Sequence, residues 1–265
     1  MRVCCIALDC QAQDWNANLS QALEGIRRAA AEGAELCVLP EMWPTSFCAE
    51  FTPEAQAFTG QALEQVALLT GELGIFVAGS AYGPVIEGRP TNRMHLHGDG
   101  ELVWMYDKGH LFSPTAEHLS FAPGPEPPAA VETRLGKLAG IVCYDLRFPR
   151  WVRPSILQGA QVLLVCAQWP EARTSHWRAL VLGRAVEGQC FVVACNRSGT
   201  TLVGRRQLEL TFPSSSLIVD PEGNILAEGN PDTPIIHAAL DLEKVSEQRR
   251  LLPVQKDERL PGSPT

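Results

Sequence analysis

Three side chains with the chemistry to cleave a carbonyl compound follow short apolar segments. They belong to Glu41, Lys108 and Cys143. A cysteine thiolate is a nucleophile, and a carboxylate whose pKa is raised by burial can take the thiol proton. The negative charge that develops on the carbonyl oxygen then needs a cation or hydrogen-bond donors nearby. One base, one cation and one nucleophile therefore predict covalent catalysis.

The sequence around Cys143 predicts a strand followed by a sharp turn and a helix. Residues 138–142 are almost wholly apolar and too few for a helix, and Pro149 is well tolerated in a first helical turn. We expect the thiol to lie between the strand and the positive end of that helix, where the pKa of a cysteine is lowered. The alternative is a space-filling cysteine, because most buried cysteines are inert.

Glu41 and Lys108 also have simple structural interpretations when each is considered alone. A glutamate just after Pro40 is usually a solvated loop residue, and a lysine that ends a strand usually lies at the surface. A protein core has no need for a base, a cation and a thiol in equivalent positions, so the combination favours a catalytic site. Strand ends in α/β folds are also where side chains project into ligand-binding crevices.

The elements that must position these residues alternate between strand and helix in the first part of the chain. The pattern predicts a strand within residues 1–9, a helix over 18–30, a strand over 35–41, a helix over 54–73 and a strand over 75–80. Between residues 80 and 108 no helix fits and glycine-containing turns separate short strands, which predicts an antiparallel meander.

The rest of the chain predicts a second group of strands with helices outside them. Strands are predicted over 129–134, 137–143, 161–167, 191–195, 217–219, 224–227 and 235–240, with a helix over 175–187. A polar helix and a tail over residues 251–265 follow. Because no repeat or change of composition interrupts the chain, we predict one α/β domain over residues 1–265, with mixed sheets covered by helices.

The composition argues against several classes of protein. The 265 residues carry a net charge of -8, which disfavours nucleic acids and anionic membranes as partners, and no apolar segment is long enough for a membrane span. The nine cysteines form no Cys-x-x-Cys pair and no disulfide-like framework, which predicts a reducing, cytoplasmic location. No histidine pair has the spacing of a metal site, so we predict neither a metal nor a cofactor.

The three candidate residues lie in the segments Leu39-Pro40-Glu41, Tyr106-Asp107-Lys108 and Cys143-Tyr144-Asp145-Leu146-Arg147-Phe148-Pro149. Further along the chain are His176-Trp177, Gly183-Arg184-Ala185-Val186-Glu187-Gly188-Gln189 and Cys195-Asn196-Arg197. Together these segments resemble the nitrilase, or carbon-nitrogen hydrolase, superfamily, whose members use a Glu-Lys-Cys triad in this order. Gly188 stands where the family usually has asparagine, which would loosen a helix end without touching the triad.

The resemblance implies a four-layer α-β-β-α sandwich, usually a homodimer joined through helices that include the one after the nucleophile. It implies that Glu117 lies in the site and holds the lysine or the substrate, although a surface carboxylate is the simple alternative. In the implied mechanism, Glu41 takes the proton of Cys143 and the thiolate attacks an amide carbonyl. Lys108 and the Tyr144 N–H stabilise the oxyanion. Ammonia leaves, and water then cleaves the thioester without a metal or cofactor.

Within the superfamily, residues 144–149 and 168–173 look most like bacterial omega-amidases, which deamidate 2-oxoglutaramate or 2-oxosuccinamate. Such substrates carry a carboxylate, for which a guanidinium is the natural partner, so Arg147 and Arg173 are candidate binding residues. The alternative for Arg147 is an ion pair with a structural carboxylate. Trp169 either walls the pocket or packs in the core. Asp145 is expected to cap the turn after the cysteine.

Two other functions stay open. A nitrilase or an N-carbamoyl amide hydrolase would keep the same triad with a different pocket. The alternative from another class is a non-catalytic dimeric scaffold. The intact set of base, cation and thiol disfavours a scaffold, because protein association needs none of these groups together.

Overall fold

The fold consists of two six-stranded sheets with helices on their outer faces, and the computed structural model describes residues 1–259. In chain order, the strands are β1 (Arg2–Ile6), β2 (Leu36–Val38), β3 (Phe76–Ile86), β4 (Arg89–Gly98), β5 (Glu101–Asp107), β6 (Val131–Thr133), β7 (Gly136–Val142), β8 (Val162–Ala167), β9 (Phe191–Asn196), β10 (Ser198–Val203), β11 (Leu208–Pro213), β12 (Leu217–Val219), β13 (Ile225–Glu228) and β14 (Ile235–Ala239). The helices are α1 (Trp15–Ala31), α2 (Pro53–Leu73), α3 (Glu117–Ser120), α4 (Pro149–Leu157), α5 (Thr174–Gly188), α6 (Glu243–Leu251) and α7 (Val254–Asp257). The predicted tail begins at the end of α6 and includes α7, and its residues 260–265 lie outside the described part.

The layers follow from the alternation of side chains along the strands. In β1, Val3 and Cys5 belong to the large core between the two sheets, whereas Cys4 and Ile6 pack with residues of α1 and α2. Successive side chains of a strand point to opposite faces, so the first sheet is covered on both sides. The second sheet packs against α5, whose Trp177 is fully buried in the same large core. The four-layer α-β-β-α sandwich is confirmed.

Both sheets have parallel strands at their centres. The first sheet has the order β14-β1-β2-β3-β4-β5, in which β1, β2 and β3 are parallel. The second has the order β13-β12-β9-β8-β7-β6, in which β7, β8 and β9 are parallel. Ligand sites form beyond the carboxyl ends of such strands. Glu41 follows β2 and Cys143 follows β7, so each sheet contributes one candidate residue from such an end.

Most predicted elements are present within a few residues of their predicted bounds, including the antiparallel meander β3-β4-β5. Helix α1 begins at Trp15, earlier than predicted, because the Asp14 side chain accepts the Ala17 N–H at 3.0 Å and caps the helix. Helix α5 ends at Gly188 and Gln189 is its C-cap, so the glycine is the last helical residue and does not interrupt the helix. Sequence analysis missed the hairpin β10–β11, which forms a separate two-stranded sheet.

Two stacked histidines of β4 are expected to make the stability of the fold depend on pH. The rings of His95 and His97 are buried with centroids 5.7 Å apart, and burial lowers the pKa of His95 to about 3 and that of His97 to about 4. Below the unfolded-state pKa of about 6.5, the unfolded chain binds protons that the folded protein does not. We expect the free energy of unfolding to fall by up to about 1.4 kcal/mol per pH unit for each histidine as the pH decreases toward about 4.

Urea denaturation near neutral pH and at about pH 5 measures this loss of stability. A variant with His95→Leu and His97→Leu should show a flatter dependence on pH, whereas His118→Gln, at an exposed position, should retain the wild-type dependence. If the free energy of unfolding of the double variant changed with pH as much as that of the wild type, the loss of stability could not be due to these histidines.

Candidate active site

Glu41, Lys108 and Cys143 line one cavity. Each lies just beyond a strand: Glu41 after β2, Lys108 after β5 and Cys143 after β7. Their exposed fractions are 1%, 1% and 8%. The tertiary structure therefore brings together, in a largely enclosed space, the three side chains that the sequence singled out.

The Lys108 ammonium lies between two buried carboxylates. Its Nζ donates to Glu41 Oε1 at 2.7 Å, and to Glu117 Oε1 and Oε2 at 2.9 and 2.8 Å. Burial alone would lower the pKa of Lys108, but the charges of Glu117 and Glu41 outweigh burial and raise this pKa well above its usual range. The lysine is therefore a fixed cation. Glu117 is a buried partner of this lysine and not a surface carboxylate.

Glu41 receives hydrogen bonds on both carboxylate oxygens. Besides Lys108, Asn92 Nδ2 donates to Oε1 at 2.9 Å, and the Gln168 N–H donates to Oε2 at 3.0 Å. Burial raises the pKa of Glu41; the charge of Lys108 opposes this increase, and the charge of Glu117 adds to it. A carboxylate with a raised pKa is what a general base near neutral pH requires.

Cys143 occupies a strained turn. Its φ is 46°, in the left-handed region that non-glycine residues rarely adopt, and it begins a 3₁₀ turn, Cys143–Arg147, that ends before α4 starts at Pro149. The expectation that a helix N-terminus lowers the pKa of this thiol is wrong. Burial and the charge of Glu41 raise the pKa of Cys143 well above its usual range, so the thiol is protonated in the resting site. Its Sγ lies 3.9 Å from the carbonyl oxygen of Gln168.

Asp145 fixes the turn that follows β7. Its buried carboxylate accepts the Val142 N–H at 3.3 Å, in agreement with the expected capping role. It also accepts the Tyr106 hydroxyl at 2.8 Å and the His110 N–H at 2.9 Å, which ties the turn to the end of β5. The Tyr144 N–H belongs to the first turn of the 3₁₀ segment, where backbone N–H groups have no partner within the helix and can face a ligand.

Sequence reasoning missed three residues that hold the carboxylates: Asn92, Phe112 and Gln168. The Phe112 N–H donates to Glu117 Oε2 at 2.6 Å. Asn92 Nδ2 lies between the carboxylates, 2.9 Å from Glu41 Oε1 and 3.5 Å from Glu117 Oε1. Only Gln168 had a usable signal, because it directly follows the apolar segment of β8 as the candidate nucleophile follows β7.

Arg147, Arg173 and Trp169 line the same cavity. The Arg147 guanidinium lies over the Trp169 ring at 4.8 Å, and the Arg173 guanidinium lies over the Phe112 ring at 5.8 Å. The polar partner of Arg147 is His176 Nδ1 at 3.2 Å, so the alternative of a structural carboxylate is wrong. Within residues 1–259, neither guanidinium forms an ion pair with a carboxylate. Trp169 both walls the cavity and packs in the core.

The hairpin β10–β11 supplies an apolar wall that was not predicted. Val203, Leu210 and Phe212 line the cavity, and Phe47 lines it from the loop after β2. The Gly204 N–H donates to the Phe47 carbonyl oxygen at 3.2 Å, which holds the hairpin against that loop. The cavity is therefore polar around the three candidate residues and apolar on the side of the hairpin.

Among residues 1–259, no group of three or more histidine, cysteine, aspartate or glutamate side chains is arranged to hold a metal ion. In the same part of the chain, no helix combines the length and the apolar character that crossing a membrane requires.

The model of the carbon-nitrogen hydrolase family matches residues 2–250. The chain belongs to the carbon-nitrogen hydrolase family. The resemblance inferred from the six short segments is thereby confirmed, and the chain is a hydrolase of carbon–nitrogen bonds other than peptide bonds.

The chain is also similar to individual amidases. It is 32% identical over 259 residues to the 2-oxoglutaramate amidase of Bacillus subtilis (strain 168), and the aligned region covers 97% of each chain. It is 32% identical over 255 residues to omega-amidase YafV of Escherichia coli (strain K12), covering 92% of this chain and 91% of the relative. The structure is also similar to that of a variant of the amidase from Nesterenkonia sp. AN1, with a TM-score of 0.82 and 25% identity over 97% of both chains. In that solved structure, the acetamide moiety of fluoroacetamide is added covalently at the active-site cysteine.

Proposed function

We propose that this hydrolase releases ammonia from a small amide that carries a separate carboxylate, with 2-oxoglutaramate or 2-oxosuccinamate as the substrate. The proposal rests on one observation: a single cavity contains both the three candidate catalytic residues and the guanidinium groups of Arg147 and Arg173. Within residues 1–259, neither guanidinium is paired with a carboxylate. The names of the B. subtilis and E. coli relatives support the same class of substrate.

In the first half of the proposed reaction, Glu41 takes the proton of Cys143 as Sγ attacks the amide carbon. The new C–S bond leaves the negative charge on the carbonyl oxygen, where the Lys108 ammonium and the Tyr144 N–H stabilise it. Glu41, now protonated, donates its proton to the amide nitrogen as the C–N bond breaks. Ammonia leaves, and a thioester on Cys143 remains.

Water completes the proposed reaction. Glu41 takes a proton from the water as its oxygen attacks the thioester carbon, and the same donors stabilise the second oxyanion. The C–S bond then breaks, the carboxylic acid leaves, and the Cys143 thiolate recovers a proton from Glu41. The raised pKa of Glu41 suits a group that both takes and returns protons. The Lys108 ammonium keeps its charge throughout because Glu117 is its second carboxylate partner.

The two guanidinium groups suit a substrate with an anionic end. A guanidinium binds a carboxylate through two parallel N–H···O bonds, and stacking on an aromatic face leaves the donors at its edge available. Arg147 is stacked on Trp169 and Arg173 lies over Phe112, so both are held at the cavity without a carboxylate of the protein as competitor in residues 1–259.

A panel of four substrates tests the proposed function: 2-oxoglutaramate, glutamine, an aliphatic nitrile and an N-carbamoyl amino acid. We expect ammonia from 2-oxoglutaramate far in excess of the other three. Turnover mainly of the nitrile or of the N-carbamoyl compound would replace the proposal with one of those activities. A protein whose thiol can be alkylated but which acts on none of the four would support a scaffold role.

Arg147→Met and Arg173→Met should each raise KM for 2-oxoglutaramate by about 10- to 100-fold, because each removes charge-assisted hydrogen bonds to its carboxylate. KM for butyramide, a neutral amide, should change little. Steady-state kinetics with both amides measures the difference, and Arg178→Met serves as a matched control at an exposed arginine of α5 that pairs with Glu228. Equal losses on both amides would show that the arginines act on the structure and not on the carboxylate.

The proposal includes a single domain and a cytoplasmic homodimer joined through helices that include α4. Leu157 of α4 and Val186 of α5 are 42% and 52% exposed, which suits a surface covered by a second copy. The nine cysteines are all free, which suits a reducing compartment. Sedimentation equilibrium that gives the mass of one chain would contradict the dimer.

A further inference from the structure

Gln168 contacts both the proposed base and the proposed nucleophile through three of its polar groups. Its N–H donates to Glu41 Oε2 at 3.0 Å, and its Nε2 donates to the Glu41 main-chain oxygen at 2.8 Å. Its carbonyl oxygen lies 3.9 Å from Cys143 Sγ. The residue is 6% exposed and lines the cavity, yet no step of the proposed reaction uses it.

The fourth polar group of Gln168 is held by a buried arginine. Arg197 Nη1 donates to Gln168 Oε1 at 3.1 Å and to Ser46 Oγ at 3.2 Å, and Nη2 donates to Asp9 Oδ1 at 3.1 Å. Arg197 is fully buried. Because a guanidinium has only donors, it accepts only the oxygen end of the Gln168 amide as a partner. The NH₂ end must then face the main chain of Glu41.

Three neighbouring parallel strands bring these groups into one row. Strand β7 ends just before Cys143, β8 ends just before Gln168, and β9 ends at the residue before Arg197. Strand β8 pairs with both β7 and β9, so the three residues that follow them lie side by side at one edge of the second sheet. Glu41 reaches this row from the first sheet.

We propose that Gln168 is a positioning residue, which holds the carboxylate of Glu41 and the thiol of Cys143 in the arrangement that proton transfer requires. Arg197 acts through Gln168 by fixing the orientation of its amide. This inference rests on the proposed function for the roles of Glu41 and Cys143. It assigns to Gln168 no proton and no bond to the substrate.

Gln168→Met keeps the length of the side chain and removes both amide contacts. We expect kcat to fall by about 10- to 100-fold, because small displacements of reacting groups have effects of this size, with KM changed by less than about twofold. The acid limb of the kcat/KM profile should also move to higher pH. Without its side-chain contacts, residue 168 holds its main-chain N–H less firmly against Glu41 Oε2. The weaker hydrogen bond stabilises the charged carboxylate less, which raises the pKa of Glu41.

Gln189→Met is the matched control. Gln189 is also a buried glutamine, 2% exposed, and its Nε2 donates to the Leu252 carbonyl oxygen at 2.7 Å, outside the cavity. Its replacement should reduce the stability toward urea while leaving kcat and the pH profile unchanged. If Gln168→Met and Gln189→Met altered kcat equally, or if Gln168→Met changed only the stability, the positioning role would be wrong.

A double-mutant cycle tests the link to Arg197. If the arginine acts through Gln168, Arg197→Met lowers kcat in the wild-type background but not further in the Gln168→Met background. Effects that multiply would show that Arg197 acts independently. Should Arg197→Met fail to fold, Arg197→Lys takes its place in the same cycle, because lysine keeps the charge but lacks the planar fork of donors.

The rate of Cys143 alkylation by iodoacetamide as a function of pH separates this inference from the choice of substrate. Gln168→Met should be alkylated more slowly than wild type, with a shifted pH dependence, whether or not any tested amide is turned over. A shifted alkylation profile in a protein that acts on none of the amides would keep the positioning role and discard the proposed substrate. Ammonia release and alkylation both identical to wild type would overturn the positioning role alone.

Discussion

Replacement of Cys143 by alanine is expected to abolish ammonia release, by about 10⁴-fold or more, while the protein folds normally. No other described side chain of the cavity offers a comparable nucleophile beside the Glu41 carboxylate. The closest polar contact of Sγ is the Gln168 carbonyl oxygen at 3.9 Å, which is a weak bond. The free energy of unfolding should therefore change by less than about 1 kcal/mol. Kinetics and urea denaturation of the same preparation measure both quantities.

Cys166→Ala is the matched control for Cys143→Ala. Cys166 is fully buried on β8, and its Sγ donates to the Ile141 carbonyl oxygen at 3.9 Å, but it does not line the cavity. We expect this variant to lose stability, because it creates a small cavity, and to keep its activity. Activity in Cys143→Ala equal to that of wild type would exclude the proposed thioester mechanism. Inactivity of a well-folded Cys166→Ala would show that the two cysteines cannot be distinguished by this test.

Replacement of Lys108 by methionine should reduce both activity and stability. It leaves Glu41 and Glu117 buried without their shared cation, and removal of one partner from a buried ion pair costs about 3–5 kcal/mol. Activity should fall by about 10³-fold or more, because the oxyanion loses its cation and the lysine charge no longer opposes the increase of the Glu41 pKa by burial.

The pH dependence of the Lys108→Met stability follows from the carboxylate of Glu41. Burial raises the pKa of Glu41, and in the variant the lysine charge no longer opposes this increase. The folded variant therefore binds more protons than its unfolded chain, so its stability falls as the pH rises. The deficit relative to wild type should therefore be smaller at about pH 5 than at about pH 8. Denaturant unfolding at both pH values measures it, with Lys244→Met at an exposed position of α6 as the control. An equal deficit at both pH values would contradict the role assigned to the lysine charge.

A second substitution separates the two effects of Lys108→Met. Glu117→Gln in the Lys108→Met background removes one unpaired carboxylate and should restore part of the stability. Activity should not return, because the oxyanion still lacks its cation. Recovery of activity together with stability would show that Lys108 serves only to neutralise the carboxylates.

The helices and strands could largely be predicted because they depend on local patterns. An apolar face predicted a helix over residues 54–73. The structure begins α2 at Pro53, where the Thr52 side chain accepts the Ala55 N–H. The hairpin β10–β11 was missed because much of it is polar or exposed and because the loop that it contacts, at Phe47, is distant in sequence. Hydrophobic periodicity gives no signal for such a segment.

The sequence by itself determined the types and order of the candidate catalytic residues, since Glu41, Lys108 and Cys143 are each marked by the end of an apolar strand. Only the tertiary structure decided their ionisation, because the pKa of a buried group depends on burial and on charges that arrive from other strands. The local pattern suggested a thiol with a lowered pKa, whereas burial and the Glu41 carboxylate, delivered by the opposite sheet, raise it. The end of β8 marks Gln168 in the sequence, but its contact with Glu41 spans 127 residues, so only the tertiary structure shows its place beside the carboxylate.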